Sequence, residues 1–119
     1  MAKTFPIVIF HNPKCSTSTQ VVAMVEAAGH KPTIIEYLKT GWTKPLLLSL
    51  FAAANLTPRQ ALRGKAKEVE DLGLLAARVS DAKILDAMVA HPVLVERPIV
   101  VTPKGVRLCR PKETVRELL

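Results

Sequence analysis

Aromatic residues are scarce. Three Phe, one Trp and one Tyr make up 4% of the 119 residues. A core built from this chain is therefore aliphatic, and few rings are available to stack on the bases of single-stranded nucleic acid. Cysteine is scarcer still, with Cys15 and Cys109 far apart in the chain. Two cysteines exclude a disulfide-dense secreted scaffold and a four-cysteine zinc site. The three separated histidines, His11, His30 and His91, suggest no metal site either. Long apolar runs are also missing. Phe5 to Phe10 is too short for a signal-peptide core, and His11-Asn12-Pro13 stands where small cleavage-site residues would follow. The longest uncharged stretch, Pro45 to Pro58, is shorter than the ~18 apolar residues of a membrane-spanning helix. A soluble cytoplasmic protein with reduced thiols is expected. No internal repeat or low-complexity segment is visible.

What remains is ordinary globular material, 49% hydrophobic and 23% charged, with mean hydropathy +0.22. The length suits a single domain spanning 1–119, since compact domains usually run about 100–150 residues. Seventeen Lys and Arg against ten Asp and Glu leave a net charge of +7. Such a surplus fits nucleic acid, an anionic surface or a small anionic substrate. The basic residues are scattered instead of forming a stripe interleaved with aromatics, which argues against nucleic acid.

Phe5-Pro6-Ile7-Val8-Ile9-Phe10 reads as a strand buried on both faces. His11-Asn12-Pro13-Lys14 breaks it, and Ser16 to Thr19 supply helix-start residues. Val21, Val22, Val25 and Ala28 follow at helical spacing, with Gly29 as the stop. Thr33 to Leu38 reads as a second strand, completing a βαβ unit with parallel pairing. The middle is helical. Thr43 caps one helix, Thr57 with Pro58 opens a shorter one, and Ser80-Asp81 starts another. Strand signals return at Pro98–Thr102 and Val106–Arg110 around the turn Pro103-Lys104-Gly105, a hairpin pattern. Pro111 to Leu119 reads as a closing helix. The fold class is α/β in the order βαβ, helices, ββα, with a helical insertion at about 43–91.

Cys15 falls between the first strand and the first helix. The opening turn of a helix presents unpaired N–H groups and a positive dipole end, which favour an anion. A thiol there deprotonates more easily, and the thiolate is the nucleophile. Lowering a pKa from about 8.5 by ~2 units raises the thiolate fraction at pH 7 from roughly 3% to about three quarters. Ser18, one turn on, is a candidate to hydrogen-bond the sulfur, and His11 and Lys14 are candidate nearby charges. Cys15-x-x-Ser18 cannot close a local disulfide, so the second thiol comes from elsewhere. Cys109 sits in an apolar strand and reads as a packed core residue. Asn12 reads as a turn former.

His11-Asn12-Pro13-Lys14-Cys15-Ser16-Thr17-Ser18 resembles the active-site loop of the glutaredoxin-coupled arsenate reductases of the ArsC type. Glu96-Arg97-Pro98-Ile99-Val100-Val101-Thr102-Pro103 and Gly105-Val106-Arg107-Leu108-Cys109-Arg110-Pro111 resemble that family's C-terminal signature. Pro32 to Leu38 and Ala61-Leu62-Arg63 look like family segments in the expected order, so the resemblance covers essentially the whole chain. It implies a thioredoxin-like fold with a helical insertion and a cis peptide before Pro98. It also implies Cys15 as nucleophile, His11 and Ser18 as its catalytic neighbours, and Asn12, Arg63, Arg97 and Arg110 around an arsenate oxyanion. Arginines suit that task because they neutralise charge and offer fixed, paired donors. Arg59, four residues before Arg63, is read on the same helical face. No bound cofactor is implied; glutathione is a co-substrate and glutaredoxin a protein partner. The competing readings are a thiol oxidoreductase acting on another glutathione-linked substrate and a transcription adaptor resembling Spx. The adaptor group commonly carries Cys-x-x-Cys, which Ser18 replaces here.

Overall fold

The computed structural model describes residues 6–119. Two compact units are present, one formed by residues up to Thr40 together with Arg97–Leu119, the other by Gly41–Glu96. The first holds a four-stranded sheet of β1 (Val8–His11), β2 (Thr33–Glu36), β3 (Ile99–Thr102) and β4 (Gly105–Leu108) in the order β2-β1-β3-β4. β1 runs parallel to β2 and antiparallel to β3, and β3 and β4 form the hairpin. The βαβ crossover is α1 (Ser16–Ala27), as the apolar spacing of Val21 and Val25 predicts. This is the α/β order expected, with the helical segment between the second and third strands.

Alternation along the central strand decides which side chains form the core. Ile7 and Ile9 point to one face and join Val100, Val21 and Val25, with Val115 and Leu118 from a C-terminal 3₁₀ helix (Lys112–Leu118). Cys109 belongs to this cluster and is fully buried. Among the described residues no aromatic ring enters it, in keeping with the composition.

Several boundaries differ from the sequence expectation. Phe5 lies outside the described residues. β2 is an edge strand with one neighbour, so Thr33 and Ile34 are exposed, and the chain turns at Tyr37 into the short helix α2 (Tyr37–Thr40). The closing helix is 3₁₀ in form, not α. The peptide bonds before Pro98 and Pro111 are both cis; only the first was expected.

The Gly41–Glu96 unit contains α3 (Lys44–Ala54), α4 (Lys67–Asp71) and α5 (Asp81–Ala90). Thr43 caps α3 by accepting from the Leu46 amide, and Asn55 ends it in the left-handed region at φ 57. Ser80 caps α5 through the Lys83 amide. No helix starts at Thr57, although Thr57 and Gln60 exchange the reciprocal bonds of a capping box at 2.9 and 3.2 Å. One turn forms and stops, because Leu62 pairs antiparallel with Val95. The Arg63 amide then donates to Leu94 and the Glu96 amide to Ala61, both at 2.8 Å. Backbone pairing wins over local helix preference here. Arg59 and Arg63 therefore share no helical face. Arg59 Nη2 instead donates to the carbonyls of Ala76 (3.2 Å) and Val79 (2.6 Å), fastening the loop before α5.

Ile9 is fully buried within the sheet core. Ile9→Ala is expected to cost about 2–5 kcal/mol, the transfer loss plus a residual cavity. Urea unfolding followed by circular dichroism checks this, and an unshifted midpoint would contradict the packing described.

Candidate active site

The sheet register brings three chain segments to one end. Phe10 pairs with Ile99, and Ile99 with Leu108. The next residues along each strand are therefore neighbours: His11 leaving β1, Arg97-Pro98 entering β3, and Cys109-Arg110 leaving β4. The Cys109 amide donates to the Pro98 carbonyl at 2.9 Å, and Arg110 Nη1 to the Arg97 carbonyl at 3.2 Å. Arg97 and Arg110, thirteen residues apart in sequence, are thus held together.

The loop from β1 to α1 is built by Asn12. Its Oδ1 accepts from the Lys14 amide at 2.9 Å, and its carbonyl accepts from the Cys15 amide at 3.0 Å. This is an Asx turn, the role expected of Asn12. Cys15 then occupies the N-cap position of α1 with extended backbone (φ −99, ψ 121). Its carbonyl accepts from both the amide and the hydroxyl of Thr19.

Cys15 is only 9% exposed, more enclosed than a polar turn sequence suggests. Burial alone would raise its pKa, because it removes water from the thiolate. Three partners outweigh that and leave the pKa below the ordinary value: the Ser18 backbone N–H, Arg97 by hydrogen bond and charge, and Arg110 by hydrogen bond. Arg110 Nη1 lies 3.8 Å from Sγ. Arg97 is itself buried at 6% exposure, and its Nε and Nη1 have no protein partner. A buried guanidinium with two uncommitted nitrogens is costly unless something anionic meets it.

Ser18 meets the sulfur as expected, but through its backbone N–H and not its hydroxyl. Its hydroxyl is 2.6 Å from His11 Nδ1 and accepts from the Asn12 amide at 3.2 Å. The hydroxyl thus ties β1 to α1, and the group that faces the sulfur is the Ser18 amide. A cysteine placed at an N-cap was the signal for that, since the third helical N–H points back toward the cap side chain. His11 does not supply charge either. Burial pushes its pKa below the usual histidine value, opposed by the charge of Glu36, its register partner on β2. The imidazole is a neutral hydrogen-bonding support at neutral pH.

Two further sequence candidates are Arg63 and Cys109. Arg63 belongs to the Gly41–Glu96 unit, where its carbonyl accepts from Ala66. Its part in oxyanion binding rests on the resemblance alone. Cys109 is packed in the core, and burial, with a smaller contribution from Glu117 and opposition from Arg107, pushes its thiol up to about 12. Both cysteines are free thiols. No group of three or more His, Cys, Asp or Glu among the described residues is placed to hold a metal ion. No helix there is long and apolar enough to cross a membrane.

Alkylation by iodoacetamide against pH should therefore show one fast thiol, Cys15, with a midpoint below that of free cysteine. Arg97→Ala or Arg110→Ala should move that midpoint to higher pH, by on the order of 1 unit for a removed neighbouring charge. Cys109→Ser should leave the profile in place. An unmoved midpoint in an arginine variant would exclude that residue from thiolate stabilisation.

Known proteins resemble this chain along nearly its full length. "Arsenate reductase ArsI2" of Synechocystis sp. is 63% identical over 113 residues, covering 95% of this chain and 81% of that protein. The arsenate reductase of Escherichia coli K12 is 45% identical over the same length, covering 95% of this chain and 80% of that protein. Among solved structures, an arsenate reductase from Vibrio cholerae superposes with TM-score 0.93 at 38% identity. It covers 98% of this chain and 100% of that chain. A neighbour at 16% identity still superposes with TM-score 0.76, which shows the shared fold. The ArsC family model matches residues 10–118, and with these identities the chain belongs to the ArsC family.

Proposed function

We propose that this protein is an arsenate reductase in which Cys15 is the single catalytic thiol, with glutathione and glutaredoxin as the source of electrons. The observation that carries the reading is the buried Arg97, two of whose nitrogens lack a protein partner, set beside a thiol of lowered pKa. A thiolate and an arsenate anion repel each other. Arg97 and Arg110 reverse that by holding the sulfur and presenting donors to the oxyanion in a low-dielectric setting. Arg63 joins them as the third oxyanion ligand that the resemblance implies.

In this cycle the Cys15 thiolate attacks arsenic(V), forming a sulfur–arsenic bond as one oxygen leaves as water. A glutathione thiolate attacks the same arsenic, and a second oxygen leaves as water. A glutaredoxin thiolate then attacks the glutathione sulfur. The arsenic–sulfur bond to glutathione breaks, its electron pair stays on arsenic, and arsenic(III) results alongside a glutathione–glutaredoxin disulfide. Water displaces Cys15 and arsenite departs. Two thiols are oxidised for the two electrons gained by arsenic. The cytoplasm, where glutathione keeps thiols reduced, is the compartment that suits this chemistry.

The test is NADPH consumption with arsenate, glutathione, glutaredoxin and glutathione reductase. Consumption should require every component and vanish in Cys15→Ser without loss of fold. Arg97→Ala should lower turnover about 10²–10³-fold, the usual effect of losing one charge-stabilising donor. Cys109→Ser should keep most activity; its loss in a folded variant would favour an internal disulfide over an external thiol. Consumption that needs a glutathione mixed disulfide and ignores arsenate would replace arsenate as the substrate.

A further inference from the structure

The two arginines beside Cys15 are already engaged, Arg110 with the Arg97 carbonyl and the sulfur, Arg97 with the sulfur. In the proposed cycle they also meet the oxyanion. The resolving thiol arrives as a second anion, and glutathione adds two carboxylates to its thiolate. A cation not committed to the first anion is needed to bring it in.

Lys14 has that place in the chain. It is exposed, directly precedes the nucleophile, and sits in a turn fixed by its own amide bond to Asn12 Oδ1 at 2.9 Å. Its ammonium enters neither of the ion pairs found among the described residues, Lys39–Glu36 and Lys44–Asp86. Helix first turns usually favour Asp or Glu, yet α1 has no acidic residue in its first turn. From Phe10 to Val25 the chain carries none at all. Charge is also uneven between the two units. Among the described residues the sheet unit has nine Lys and Arg against four Asp and Glu, and the helical unit seven against six. Along the chain the Cys15 loop carries no carboxylate, and the nearest one in the sheet is Glu36, which pairs with His11 at the far end of the loop. A flexible, hydrated ammonium suits a mobile carboxylate, where a rigid guanidinium suits a fixed oxyanion.

We propose that Lys14 is a positioning residue that captures the carboxylates of the thiol co-substrate and steers it onto the Cys15 adduct. The inference rests on the arsenate reductase reading. It is tested by comparing two alkylating probes of one sulfur, anionic iodoacetate and neutral iodoacetamide. Their rate ratio cancels any change in the thiolate fraction. In Lys14→Gln the ratio should fall about threefold to tenfold, the span of one charge acting at close range through partly aqueous surroundings. It should fall further in Lys14→Glu and be retained in Lys14→Arg, and rising salt should depress it in the wild type. In turnover, Lys14→Gln should raise KM for glutathione much more than it lowers kcat, and should spare KM for uncharged 2-mercaptoethanol. An equal probe ratio in wild type and Lys14→Gln would overturn the proposal. So would equal KM increases for both thiols. A wild type that fails to reduce arsenate would reject the functional reading, while the probe ratio still decides whether Lys14 steers anions to Cys15.

Discussion

An easily ionised sulfur held in a nearly closed place is the constraint around which the sheet unit is organised. Cys15 is 9% exposed, and burial by itself would keep its proton on. The Ser18 amide, Arg97 and Arg110 reverse that balance. None of the three is adjacent to Cys15 in sequence. The amide is aimed by making Cys15 the N-cap of α1. The arginines are aimed by the hairpin, since antiparallel pairing puts the entry to β3 beside the exit from β4. The same burial that opposes the charge also strengthens every electrostatic contact made to it.

The two cysteines show how little of thiol behaviour lies in the residue itself. Both are buried, at 9% and 0% exposure. Cys15 is met by cations and an amide, whereas Cys109 packs among Ile9, Val100, Val115 and Leu118 with only a weak 3.8 Å contact to the Arg107 carbonyl. One is lowered and the other is pushed up to about 12. Core packing thus keeps a second thiol from competing with the first, and in the proposed cycle the reducing thiols come from outside.

Much of this was legible in sequence because it depends on local pattern. The apolar run to Phe10, the cysteine before a helix start, the spacing of Val21 and Val25 and the Pro103-Lys104-Gly105 turn each point to their element. Readings failed where a distant strand or a buried partner decided the outcome. Thr57 and Gln60 make a proper helix start, but the pairing of Leu62 with Val95 stops it after one turn. His11 reads as a possible charge until burial is known. Ser18 does meet the sulfur as its spacing suggests, but through its backbone N–H, since His11 and Asn12 occupy its hydroxyl.

Ser18 shows how a residue can serve a site through its backbone while its side chain does something else. A hydroxyl close to a thiol in sequence invites a direct bond between them. Here the hydroxyl is fully buried and bridges the end of β1 to the first turn of α1. Its contribution to the sulfur is therefore geometric: it holds in place the backbone whose amide does the stabilising. A neutral imidazole suits that work better than a charged one, because a cation at the half-buried His11 would lose part of its hydration. The loop accordingly divides its tasks. Asn12, His11 and Ser18 set the backbone, while Arg97 and Arg110 carry the charge. In the proposed cycle, such a division lets the sulfur meet an anion without rebuilding the loop that presents it.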